Sequence, residues 1–106
     1  MGTFVYGDET RLALSDRVLR HLEHVITTKL RRGEKFLFSW TEDASTGHGR
    51  TTVWMSSGCS LTFKYADGRH VPLNREWLTD LMRIADSPAG LFPTPEPNSI
   101  PHAAKA

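Results

Sequence analysis

Lys64, Asp67, Gly68 and Arg69 come close to a covalent catalytic motif. Nucleotidyl transfer through a lysine nucleophile uses Lys-x-Asp-Gly-x-Arg, with one residue between lysine and aspartate. Here Tyr65 and Ala66 both intervene. In an extended segment each residue reverses the side-chain direction, so one extra residue turns Lys64 to the opposite face. Asp-Gly after an alternating strand is also a turn signal in its own right. The stretch therefore reads first as a turn leading toward Pro72 and Asn74. Nucleotidyl transfer through Lys64 stands third among the functional readings.

The other reactive side chains are set apart from one another. His21 and His24 flank Glu23, but a helical zinc pair has histidines four apart with glutamate directly after the first. His48, His70 and His102 are scattered, and no second cysteine exists to join a metal site. No metal and no cofactor are expected, and His21 and His24 read as a solvated helix face. Cys59 follows Gly58 at a turn and lacks any pattern that supplies a base and an orienting partner. It reads as a small turn or core cysteine.

Two features point to binding instead. Residues 11–35 hold seven basic side chains (Arg11, Arg17, Arg20, Lys29, Arg31, Arg32, Lys35) against three acidic ones, in a chain of net charge +1. Such asymmetry can aim a positive surface at phosphate, although cations in the last turn of a helix also suit its dipole. The second feature is Trp54. If Val53 and Met55 face the core, Trp54 points outward beside Thr52, Thr62 and Lys64. An open sheet face with one aromatic and basic neighbours can stack a base, or it can form a dimer contact. A bulge that turns Trp54 inward is the structural alternative.

The elements that must position these residues follow from periodicity. Residues 3–6 and 11–14 read as a hairpin. Ser15 or Asp16 then caps a helix whose apolar stripe is Val18, Leu19, Leu22, Val25, Ile26 and Leu30, with Gly33 as its stop. Residues 35–41, 51–56 and 60–65 alternate as strands and are expected to form a three-stranded antiparallel meander. A polar loop over 41–50, expected to be mobile, joins the first two. Asn74 caps a second helix with Trp77, Leu78, Leu81, Met82 and Ala85 on one face, ended by Pro88 and Gly90. Leu91 and Phe92 are placed in a short edge strand. The expected fold is α+β in the order ββαβββα(β), an antiparallel sheet with two helices on one face.

A chain of 106 residues supports one domain, placed at 1–93, with a Pro-rich flexible tail over 94–106. Its 39% hydrophobic and 24% charged composition is that of an ordinary globule. One cysteine, no signal-peptide pattern and no run of about 20 apolar residues suit a reducing, cytoplasmic setting away from membranes.

Several phrases together carry a family likeness: "MGTFVYG", "SDRVLRHLEHVITTKLRRGEKFLFSW", "GRTTVWM", "LTFKY" and "PLNREWLTDLMRIADSPAGL", closed by "PEP". On these the chain resembles a family of short, uncharacterised actinobacterial proteins, some of which carry an ATP-dependent DNA ligase label. The resemblance spans residues 1–97 and brings no catalytic residues. It implies a link to DNA transactions, without the activity, because the adenylation motif is absent. The leading expectation is a non-catalytic interaction module, DNA-associated or bound to a DNA-processing protein. Lys29, Arg31, Arg32, Lys35 and Arg50 would meet phosphate, with Trp54 and Lys64 on the open sheet face. The alternative is a protein-only interaction or homodimerisation module.

Overall fold

The computed structural model describes residues 1–41 and 49–97. Most of the loop expected over 41–50, with His48, lies outside the described residues, as does the tail from 98 onward. The elements are β1 (Gly2–Tyr6), β2 (Thr10–Leu14), α1 (Asp16–Arg31), β3 (Phe36–Thr41), β4 (Arg50–Met55), β5 (Leu61–Lys64) and α2 (Arg75–Ala85). The class is α+β and the element order is the expected one.

The strands are partnered differently from a meander. β3 and β4 pair antiparallel by themselves, while β5 joins β1, giving a second sheet of order β2-β1-β5. The reason lies in β1. Phe4 and Val5 are consecutive and both buried, so this strand is covered on both faces, as a central strand is. Phe4 pairs with Leu12 on one side and Phe63 on the other, and Tyr6 pairs with Leu61. α1 packs on β1 and on α2, and α2 packs on β3, so each sheet has its own helix.

Helix ends follow local chemistry. Ser15 Oγ accepts from the Val18 amide at 3.2 Å. At the other end of α1, Glu34 N–H reaches the Lys29 carbonyl and Gly33 N–H the Leu30 carbonyl, a Schellman closure with Gly33 at φ 76°. Asn74 Oδ1 caps α2 through the Glu76 and Trp77 amides. The expected last strand is a single parallel bridge, Leu91 to Phe38. It depends on Gly90 at φ 86°, where a Cβ would collide with the Leu37 carbonyl.

Residues 94–97, expected to begin the tail, are instead a strap across both helices. Thr94 Oγ1 accepts from Trp77 Nε1 at 3.2 Å. Glu96 takes two hydrogen bonds from Arg17, at 2.7 and 2.6 Å, and one from Asn74 Nδ2 at 2.8 Å. Asn74 Nδ2 also donates to the Pro97 carbonyl. Prolines deny this segment a ladder, but its side chains and one carbonyl find partners elsewhere.

Two outcomes follow. Gly90→Ala should lower stability by at least about 2 kcal/mol in urea unfolding, because the left-handed conformation and the collision both oppose it. The Arg17 hydrogen bonds hold the Glu96 carboxyl down at about 2, against the opposing effect of burial and with help from Asn74 and the charge of Arg17. A depressed carboxylate stabilises the fold above its unfolded value, near 4.5, and that stability is lost as pH falls toward 2. Glu96→Gln should therefore cost about 1–2 kcal/mol at pH 7, a range discounted because Arg17 is 43% exposed, and should flatten the melting-temperature profile between pH 4.5 and 2.

Candidate functional site

The β3–β4 register sorts side chains between core and surface. Phe36–Met55, Phe38–Val53 and Trp40–Thr51 share the core face, and Leu37–Trp54, Ser39–Thr52 and Thr41–Arg50 share the opposite face, on which Ser39 is nevertheless covered. Trp54 is 51% exposed, the orientation its strand alternation predicts. Its backbone is held by the other sheet: the Trp54 carbonyl accepts from Tyr6 Oη at 2.6 Å and from Cys59 Sγ at 3.3 Å. Burial raises the Cys59 thiol's pKa, but its polar contacts with Tyr6 and Ser56 outweigh that and leave it lowered. The hydrogen bond to Cys59, then burial, raises that of Tyr6. Cys59 thus serves as a joint between sheets.

A hollow of about 420 Å³ opens beside Trp54. Lys35, Leu37 and Trp54 line it together with Ser87 and Pro88, just past the end of α2. Arg31 and Arg32 are exposed in the neighbouring last turn of α1 and its cap. Arg32 reaches Glu34 only at 4.0 Å. Of the sequence-predicted residues, Lys35 and Trp54 line this hollow, Arg32 stands beside its Glu34, and Arg31 is exposed in the last turn of α1.

Three others stand differently from expectation: Lys29 lines the same hollow but as a buried ion pair with Glu34 and Asp86, and Lys64 and Arg50 lie elsewhere. Lys29 is not on the surface: its side chain is 3% exposed, and Nζ is paired with Glu34 at 2.6 Å and with Asp86. It also lies 5.8 Å from the Phe36 ring centroid. Burial would lower its pKa, but the hydrogen bonds that Lys29 donates to Asp86 and Glu34 raise it on balance. The reason is spacing, since position 29 follows Leu22 and Val25 at helical intervals and falls on the buried face. Lys64 lies in the other sheet, opposite Thr3, and is not a strand neighbour of Trp54 because β5 pairs with β1. Arg50 shares the outer face but sits at the far end of β4, where Nη2 reaches Ser39 Oγ at 3.3 Å. There it rims a separate cleft of about 480 Å³ with Leu12, Leu14, Trp40 and Phe92. Phe92 is 41% exposed, and nothing in its local sequence announces that.

The near-catalytic stretch has a structural role. Asp16 accepts from the Ala66 and Asp67 amides at 3.2 and 2.9 Å, clamping the turn to the start of α1. Asp67 in turn takes the Arg69 amide at 2.9 Å and its Nε at 2.8 Å. Tyr65 donates to Glu23, and burial, then that carboxylate, push its pKa up. His21, expected on a solvated face, is fully buried against Trp77. Among the described residues no group of three or more His, Cys, Asp or Glu side chains could hold a metal ion. No helix among them is long and apolar enough to cross a membrane.

The fold is α+β, and at one end of the two-stranded sheet a half-exposed tryptophan stands beside a hollow lined by both basic and acidic side chains. The chain belongs to the family described as "Domain of unknown function (DUF7882)", whose model matches residues 1–96. That match ends on the strap carboxylate, Glu96. No curated protein and no solved structure matches the chain.

The placement of Lys29 is open to a direct check by urea unfolding. Lys29→Met keeps the buried stem and leaves two partly exposed carboxylates free to hydrate, so its cost should stay within about 1 kcal/mol. Lys29→Ala removes the packed stem as well and should cost about 2 kcal/mol or more.

Proposed function

We propose that the protein is a non-catalytic interaction module that holds a single-stranded nucleic-acid segment as a DNA-associated accessory factor. Arg31, Arg32 and Lys35 would meet phosphates, and Trp54 would stack on a base. The observation that supports this reading is that Lys35 and the half-exposed Trp54 line one hollow, with Arg32 beside it at Glu34 and Arg31 exposed in the same helix end. Each part suits the chemistry. Phosphate contacts supply sequence-independent affinity, and base–aromatic stacking adds about 1–3 kcal/mol per base.

A protein-only module, self-associating through this face, is the second reading. It is favoured by the exposure of Trp54 and Phe92 on or beside a sheet in which β4 has a single strand neighbour among the described residues. Aromatic side chains of this kind are enriched in protein interfaces.

Fluorescence anisotropy with a labelled single-stranded DNA oligonucleotide separates the two. Three phosphate contacts predict a log K against log [salt] slope of about −2. Arg31→Ala/Arg32→Ala should bring that slope to about −0.7, and Trp54→Ala should weaken binding by about 10- to 100-fold. Absence of binding at low salt, or unchanged affinity in the double arginine variant, ends the nucleic-acid reading. A discrete dimer mass in light scattering, abolished by Trp54→Ala and accompanied by no DNA binding, establishes the second.

A further inference from the structure

His21 is a buried titratable group that the interaction face does not use. Its ring is fully buried and stacked on Trp77, with centroids 4.5 Å apart and planes 33° from parallel. Nδ1 lies 2.7 Å from the Arg17 carbonyl oxygen, which can only accept, so Nδ1 carries the hydrogen. Nε2 receives the Asn74 backbone N–H at 2.8 Å, so Nε2 must present a lone pair. Only the neutral, Nδ1-protonated imidazole meets both demands.

Asn74 is the hub that this bond holds. Its side-chain oxygen caps α2, and its side-chain nitrogen holds Glu96 and Pro97 of the strap. We infer that His21 is an acid-sensitive latch: a second ring proton converts Nε2 from acceptor to donor, breaks the Asn74 bond, loosens the start of α2 and releases residues 94–97.

The surroundings decide how the latch titrates. From α1, the charges of Arg17 and Arg20 oppose a cationic ring, while the Arg17 carbonyl favours it. From the strap, Glu96 favours it, although both its oxygens are already engaged by Arg17 and Asn74. The start of α2 presents Asn74 and Trp77, which are uncharged, and the positive end of its dipole opposes a cation. Burial is the largest influence, and His21 is held below its ordinary 6.5. The open form takes up the proton first. The latch is at full strength above pH 6.5 and weakens below it, with the open population rising up to about tenfold per pH unit until the folded ring titrates. While the strap is docked, Glu96 keeps its charge down to about 2, so its own window lies well below this one.

Hydrogen exchange by NMR on the whole chain between pH 8 and 5 tests the latch. After correction for intrinsic rates, protection of the Trp77 Nε1–H and the Asn74 amide should be constant above pH 7. It should then fall up to about tenfold per unit below 6.5, with the β1 amides unaffected. His21→Gln retains an uncharged acceptor and should lose the slope. Glu96→Gln should lower protection at every pH and keep the slope. Protection that stays flat to pH 5 in the unaltered chain, or the same slope in His21→Gln, overturns the inference. The ¹⁵N shifts of the His21 ring give a reading that needs no variant: the Nδ1–H tautomer at pH 8 supports the latch, and the Nε2–H tautomer overturns it.

Discussion

Phe4 is the point at which the two sheets are joined. Its ring meets Phe38 edge-on at 5.4 Å and Trp40 at 6.2 Å, and lies tilted against Phe63 at 5.5 Å. Each such contact adds about 0.5–1.5 kcal/mol beyond burial of area. To bring Phe63 to that ring, β5 must lie beside β1, and this leaves β3 and β4 as a pair. Two residues further along β1, Tyr6 reaches across to the Trp54 carbonyl and sets the height of β4 against the larger sheet. The exposure of Trp54 thus depends on an aromatic cluster on the opposite side of its own strand pair.

A second constraint divides the basic cluster. A buried cation is tolerated only with partners that replace water. Lys29 has Glu34, from the turn after α1, and Asp86, from the cap of α2, so its charge ties the two helix ends together. Arg31, Arg32 and Lys35 remain exposed at this end. Glu34 and Asp86 give the Trp54 hollow two acidic neighbours, which moderates its field and makes the aromatic contact a larger share of whatever binds there.

Much of this was legible residue by residue. The stripe of α1, the Ser15 and Asn74 caps and the Gly33 stop each rest on chemistry within one or two turns. Strand alternation also set Trp54 on the face opposite Val53 and Met55, while a bulge that would turn it inward is excluded only by its 51% exposure. The partner of β5 was not legible, because alternation specifies a face and leaves the neighbour open. The signal available was the adjacent, both-buried pair Phe4 and Val5, which marks a central strand in need of two neighbours. Lys29 and His21 were hidden by their polarity: their helical positions are core-facing, and only the groups packed against them show how the polar atoms are satisfied. The strap was hidden by its prolines, which describe the backbone and are silent about where Thr94 and Glu96 reach.

By itself the sequence determined the number, type and order of the elements, their caps, and which side of each strand is apolar, since these depend on free energies between residues a few positions apart. Tertiary structure alone decided that β5 serves β1, that Lys29 is a tie between helices, that Asp16 clamps the Asp67-Gly68 turn, and that His21, Asn74 and Glu96 form one network. Those pairings span tens of residues. Their partners are selected by packing the whole core at once, with no local periodicity to announce them.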